Sequence, residues 1–252
     1  MNIALFSSNE ISSPLSVKDE RGEHIVKVLH KKSGDSFKAG IINGSEGTAT
    51  IKKIDDKERF FTFTPEKPGL TPQPLIMIIG FPRPIQLKRL LRDIAALGIK
   101  EVHLTGTELG EKSYMQSNLV EHGTAYKMLI DGTVQAGTTS VPELFLHKTL
   151  KECLTSLQNS LDKNFQALAL DNINPKYSLV EALQKEAATP NLQEEYITIA
   201  AIGSERGWTD NERKLLETSG FIRCGMGNRI MRTETAATVA ASVILAERGL
   251  LC

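Results

Sequence analysis

The residues from Tyr196 to Arg248 hold two strand–loop–helix units back to back, and no other feature constrains this chain as much. Residues 196–202 (Tyr-Ile-Thr-Ile-Ala-Ala-Ile) are β-branched and apolar, the composition of a buried strand. The loop Gly203-Ser204-Glu205-Arg206-Gly207-Trp208 ends it. Thr209 then stands three residues before Glu212. At that spacing an N-cap hydroxyl and an N3 carboxylate each satisfy a free backbone N–H, so a helix is predicted to about Ser219, closed by Gly220. Phe221–Cys224 opens the second unit, with the loop Gly225-Met226-Gly227-Asn228-Arg229 and a long helix from about Thr233 to Glu247. Glycines just past strand ends let the backbone approach a ligand, and a helix N-terminus offers free N–H groups to it.

The same alternation runs upstream. Leu75–Gly80 is an apolar run, and Ile85–Leu97 places Leu87, Leu90, Leu91, Ile94 and Leu97 on one helical face before Gly98. Strands are predicted at Glu101–Leu104, Leu144–His147 and Phe165–Leu170. Helices are predicted near Gln116–Val134, Leu150–Leu157 and Leu179–Ala188. Such cycles imply a mostly parallel, twisted sheet covered on both faces, with ligands bound beyond the carboxyl ends of its strands. That rule places Leu104-Thr105, Gly203-Ser204-Glu205 and the 225–232 loop on one rim. The first βα turn, Gly80-Phe81-Pro82-Arg83-Pro84, lacks Gly-x-Gly-x-x-Gly, which disfavours a Rossmann dinucleotide fold.

Residues 1–70 differ. After a short helical candidate around Gly22–Leu29 come the strand-like runs Asp35–Ile41, Gly47–Ile54 and Arg59–Thr64, separated by turn sequences. Pro65, Pro68, Pro72 and Pro74 then mark a stiff linker, because proline fixes φ and extends its predecessor. The domains expected are therefore 1–70 and 71–252.

Composition excludes little. Thirty basic residues balance thirty acidic ones, so a nucleic-acid partner needs a local basic patch. Cys153, Cys224 and Cys252 are scattered and odd in number, which argues against a disulfide framework and a zinc site. No stretch approaches a membrane span, and the N-terminus lacks a signal-like apolar core, so a cytoplasmic protein is expected.

Two motifs carry a resemblance. Ile202-Gly203-Ser204-Glu205-Arg206-Gly207-Trp208 resembles the Ile-Gly-Pro-Glu-Gly-Gly-aromatic loop of the RsmE-type ribosomal RNA uridine-N3 methyltransferases. Met226-Gly227-Asn228-Arg229-Ile230-Met231-Arg232-Thr233-Glu234-Thr235-Ala236 resembles that family's Leu-Gly-x-Arg-Ile-Leu-Arg-Thr-Glu-Thr-Ala signature. Both occur in the right order and on the right elements. His24-Ile25-Val26-Lys27-Val28-Leu29, followed by Ser33-Gly34-Asp35, is similar to the family's N-terminal pattern, with His30 where arginine is usual. The match frays at Val134-Gln135-Ala136-Gly137-Thr138, where the family's acid and arginine are absent, and at Thr107–Ser113, which replaces the family's Glu-Arg-Ser type of segment.

The resemblance implies an α/β fold of the SPOUT superfamily: a PUA-like RNA-binding barrel, then a mostly parallel domain with a C-terminal trefoil knot, acting as a homodimer. It implies S-adenosylmethionine as methyl donor and ribosomal RNA or the small ribosomal subunit as partner, with no membrane. Cofactor contacts are expected from Ile202, Gly203, Ser204, Glu205 and Gly207 in the first loop. Met226, Gly227, Asn228, Ile230 and Met231 would add the second loop, Thr235 the last helix, and Leu104 and Thr105 a strand end. Arg232 is the expected catalytic residue, and His24, Lys27, Lys31 and Arg229 the RNA contacts. A stripe of Ala237, Ala241 and Leu245, flanked by Ala236 and Ala240, is expected to form the dimer contact, the alternative being an ordinary tightly packed core contact within the chain. The competing class is a non-catalytic RNA-binding protein of the same fold, or a SPOUT enzyme for another RNA site.

Overall fold

A computed structural model describes residues 2–117, 123–160, 165–186 and 196–251. The chain divides into two compact units, Met1–Pro72 with Ile130–Val141, and Gln73–Leu129 with Pro142–Cys252.

In the first unit β1 (Ala4–Phe6), β2 (Leu15–Ser16), β3 (Ser36–Ile41), β4 (Glu46–Ile54) and β5 (Glu58–Lys67) form a curled sheet, a half-barrel ordered β1-β3-β4-β5-β2. All neighbours are antiparallel except β1 and β3. Its inner face buries Phe6 and Phe37, and the Phe61 ring packs on theirs at centroid distances of 5.1 and 5.9 Å. The predicted helix at Gly22–Leu29 is instead a short turn, α1 (Glu20–Glu23), that widens into a π-helical turn at His24–Val28. Asp19 caps it by accepting the Arg21 N–H. Residues 130–141 join this unit through side chains that replace strand partners. Asn43 Oδ1 accepts the Val141 N–H at 2.7 Å, and the Thr139 hydroxyl donates to the Gly44 carbonyl at 2.8 Å.

The proline-rich connection is shorter than its sequence suggested, because β5 runs through Pro65. There β5 pairs only with β4, opposite Gly47, since β2 reaches no further than Glu58 and Arg59. A residue without an N–H is tolerated on an open edge.

The second unit is built on a seven-stranded, wholly parallel sheet ordered β10-β12-β9-β11-β6-β7-β8. Its strands are β6 (Gln73–Gly80), β7 (Ile99–Thr105), β8 (Glu143–His147), β9 (Phe165–Leu170), β10 (Tyr177–Ser178), β11 (Ile197–Ile202) and β12 (Ile222–Gly225). Its helices are α2 (Pro84–Ala96), the short α3 (Lys112–Met115), the first turns of α4 (Thr124–Ala136), whose residues from Ile130 on belong to the first unit, α5 (Leu150–Ser160), α6 (Leu179–Glu186), α7 (Asp210–Thr218) and α8 (Thr233–Glu247). The early part of the helix expected at Gln116–Val134 and the end of that expected at Leu179–Ala188 lie outside the described residues. Ile76, Ile78, Ile199 and Ala201 are almost fully buried, as continuous apolar strands covered on both faces must be. Registers bring the strand ends level: Ile202 stands beside both Leu170 and Ile79, Cys224 beside Leu170, and Gly80 beside Thr105.

Helix α8 corrects one expectation. Ala237, Ala240, Ala241 and Leu245 are wholly buried within the chain, where the helix packs on α2, α6, β6 and β11. Small residues let α8 approach this core closely. The stripe expected to meet a second subunit therefore faces inward, and Thr235, Val239 and Ala246 are exposed instead.

Candidate active site

The level strand ends of β9, β11 and β12 open into a cleft of about 300 Å³. The loop after β11 is a tight turn, in which the Gly207 N–H donates to the Ser204 carbonyl at 2.8 Å. A Cβ on Gly203 would meet the Gly207 carbonyl carbon at 2.9 Å, and Gly207 itself holds φ +71°, so both positions demand glycine. Trp208 is buried beneath the turn, and its indole N–H donates to the Leu170 carbonyl at 3.2 Å, tying this loop to the end of β9. From the other side the Thr233 hydroxyl at the start of α8 donates to the Gly203 carbonyl at 3.3 Å.

The reciprocal cap foreseen at α7 is present. Thr209 accepts the Glu212 N–H at 3.2 Å, and the Glu212 carboxylate accepts the Thr209 N–H at 2.9 Å. The second Glu212 oxygen accepts the Glu108 N–H at 2.9 Å, so this buried acid also anchors the loop after β7. Ser204 is held likewise, accepting from the Thr107 hydroxyl at 2.8 Å.

Of the expected cofactor residues, Ile202, Gly203, Ser204, Glu205 and Gly207 line the cleft from one loop, and Met226, Gly227, Ile230 and Met231 from the other. Arg229, expected to contact RNA, lines it too. Asn228, Thr235 and Arg232 are exposed and outside its lining. Leu104 and Thr105 are wholly buried at the end of β7, which is two strands removed from β11 and so roughly 10 Å away.

Sequence reasoning missed the third wall, Leu170–Ile173. Its rigidity comes from Asp171, whose N–H donates to the Cys224 carbonyl at 3.0 Å and whose carboxylate accepts from Arg213 Nε at 2.6 Å. That hydrogen bond raises the Arg213 pKa further. Only the sheet register brings Asp171 to Cys224 and to α7, so no local spacing announces it.

Arg232 is the N-cap residue of α8, and its side chain ion-pairs with neither Glu205 nor Glu234. Glu205 instead receives Arg83 Nε at 3.2 Å. In the first unit, burial lowers the His24 pKa and so favours its neutral imidazole, while Lys27 lies 2.5 Å from Glu23. Lys31 is partly buried.

The cleft suits S-adenosylmethionine in two respects. Leu170, Ile173, Ile202, Met226 and Ile230 give it apolar walls, and Gly207 and Gly227 present bare backbone, with open space where a side chain would stand. Its volume lies at the lower end of the range for small-molecule sites.

Comparisons with known proteins agree. A family model described as an RNA methyltransferase domain matches residues 70–245, and one described as an RNA methyltransferase PUA domain matches residues 17–63. The chain is 42% identical over 251 residues to the ribosomal RNA small subunit methyltransferase E of Treponema pallidum, covering 98% of this chain and 91% of that protein. It is 33% identical to the ribosomal RNA small subunit methyltransferase E 1 of Borreliella burgdorferi, covering 98% of each. In fold it is similar to the S-adenosylmethionine-bound methyltransferase E of Neisseria gonorrhoeae, with a TM-score of 0.74, 16% identity, and coverage of 98% of this chain and 97% of that one. A Legionella pneumophila methyltransferase in complex with the same cofactor gives a TM-score of 0.75 at 21% identity, with coverage of 98% and 97%. With its RNA methyltransferase and PUA matches and these near-full-length relatives, the chain belongs to the ribosomal RNA small subunit methyltransferase E family.

Proposed function

We propose that this protein transfers the methyl group of S-adenosylmethionine to N3 of a uridine in small-subunit ribosomal RNA. The observation that carries this is the convergence of the Gly203–Gly207 and Met226–Met231 loops on one apolar cleft in a chain of this family. The cofactor supplies a methyl group already activated on a positively charged sulfur. The residues around it have to hold it in line and stabilise the acceptor. Ile202, Met226, Ile230 and Met231 provide the apolar hold, and Gly203, Gly207 and Gly227 bring backbone donors and acceptors within reach. Leu104 and Thr105 act at one remove, seating β6 so that Gly80 packs directly on Ser204. Asn228 and Thr235 complete the loop and helix start.

Arg232 is free of Glu205 and Glu234, so its guanidinium is available to stabilise the negative charge that spreads over the uracil oxygens as N3 loses its proton. Arg229 at the cleft and His24, Lys27 and Lys31 in the first unit contact the RNA. Strands β11 and β12 follow one another in sequence yet are separated in the sheet by β9, an order that supports a C-terminal trefoil knot in this reading. The homodimer forms through the outward face of α8, around Val239, and the protein works in the cytoplasm, where small subunits are assembled. No described helix is long and apolar enough to cross a membrane.

Calorimetry with S-adenosylmethionine tests the reading. One site per chain, with a matching rise in melting temperature, is expected, because a ligand bound only to the native state stabilises it. Neither heat nor a thermal shift at millimolar cofactor would favour the RNA-binding protein that has lost the chemistry.

A further inference from the structure

Two histidines and a cysteine, distant in sequence, meet under the far edge of the parallel sheet. His103, His147 and Cys153 are 2%, 7% and 0% exposed. Strand register explains the histidines: His103 lies opposite Phe145 and Thr105 opposite His147, so all four side chains stand on one face. The His103 ring stacks on Phe145 with centroids 4.6 Å apart and lies edge to edge in the plane of His147, centroids 5.2 Å apart. Helix α5 begins just after His147 and brings Cys153 onto the same face. One ligand atom from each of the three residues lies within 4.8 Å of the others.

The hydrogen bonding fixes which nitrogens face one another. His103 Nε2 is 3.1 Å from the Glu101 carboxylate, which holds a proton on that nitrogen. His103 Nδ1 is then an acceptor, 2.9 Å from His147 Nε2.

We propose that His103, His147 and Cys153 bind a divalent transition metal of the zinc type, with Glu101 orienting His103 from behind. Two imidazole nitrogens and a thiolate are the mixed donor set that zinc accepts in tetrahedral sites. With zinc–nitrogen bonds of about 2.0–2.1 Å and a zinc–sulfur bond of about 2.3 Å, such donors stand roughly 3.3–3.6 Å apart. To accept the ion the histidine nitrogens part by about half an ångström from 2.9 Å, the two rings turn so that both lone pairs meet it, and the sulfur closes in from within 4.8 Å. The step balances: Cys153 releases its proton to solvent as the sulfur–metal bond forms, and the proton on His147 Nε2 moves to Nδ1 without net change. A cleft of about 480 Å³, lined by Gly106, Lys148, Thr149 and Leu150, begins one residue beyond His147. The bound metal would clamp β7, β8 and α5 beneath that cleft. The spacing of the cysteines pointed away from zinc because two of the three ligands are histidines joined only by strand pairing.

Chelator-stripped protein titrated with cobalt(II) tests the site, and the readout does not depend on methyl transfer. One ion per chain is expected, with a thiolate-to-cobalt charge-transfer band, visible bands of four-coordinate cobalt, and one proton released. Zinc(II) should displace the cobalt and raise the melting temperature. Cys153→Ala should abolish the charge-transfer band and His147→Gln should weaken binding at least 100-fold, whereas Cys224→Ala changes neither. Absence of a stoichiometric ion in the wild type, or a charge-transfer band that survives Cys153→Ala, would overturn the proposal. If Cys153→Ala does not fold, X-ray absorption of the zinc-loaded wild type decides. Two nitrogens and one sulfur support the site, and a shell without sulfur refutes it.

Discussion

Replacing Gly227 with alanine isolates what the second loop does for cofactor binding. Gly227 holds φ +93°, and a Cβ there would meet no atom within 4 Å, so the substitution introduces no clash and only backbone strain. For a non-glycine residue in such a region the cost is about 1–3 kcal/mol. Residues 227–230 are exposed, so the free protein can relax the loop and lose little stability. Binding must then restore the strained geometry. The same energy appears as weaker affinity, roughly 5- to 150-fold at about 1.4 kcal/mol per factor of ten. Gly220 is the internal control. It holds φ +88°, with equally open space, but closes α7 far from the cleft lining, where Phe221 is buried beside it. Gly220→Ala should lower the melting temperature by about 2–4 °C per kcal/mol and leave affinity unchanged. The single tryptophan, Trp208, lines the cleft, so its emission serves as the titration signal. Wild-type affinity in Gly227→Ala, or an equal loss in Gly220→Ala, would refute the assignment of the loop to the cofactor.

Three further outcomes follow from the same geometry. Arg232→Ala should keep cofactor affinity while turnover falls ~100-fold or more, as when charge stabilisation is lost elsewhere; single-turnover kinetics at saturating cofactor measures it, and wild-type turnover removes the role. Ala241→Glu places a charge where the chain leaves no exposed surface, so it should cost several kcal/mol and unfold the protein without yielding a folded monomer, as denaturant titration and light scattering would record. The Glu58 and Lys57 N–H groups and then Lys53 hold the Asp55 pKa down at about 2 from its usual 3.8, so its contribution to stability is present above about pH 4 and is lost as pH falls toward 2. Asp55→Asn should flatten the pH dependence of the melting temperature in that window.

Much of the fold was legible because its signals are local. The Thr209–Glu212 cap lies within one turn of helix, and the apolar runs at 75–80, 165–170 and 197–202 are long enough to announce buried strands. The two loops that line the cleft were legible for the same reason, as glycines directly after strands. What escaped depends on pairing between distant segments. Asp171 reaches the cleft only because β9 lies between β11 and β12, and residues 130–141 join the first unit through Asn43 and Thr139. The small-residue stripe on α8 left the dimer and core readings open because composition reports that something approaches closely, not whether it belongs to the same chain; burial decides for the core.

The most direct test of methyl transfer uses small ribosomal subunits from cells lacking this protein, incubated with the purified enzyme and methyl-labelled S-adenosylmethionine. The RNA is then digested to nucleosides and analysed by mass spectrometry. The account predicts label in N3-methyluridine alone, dependent on Arg232. Unlabelled RNA, or label in any other nucleoside, would contradict it.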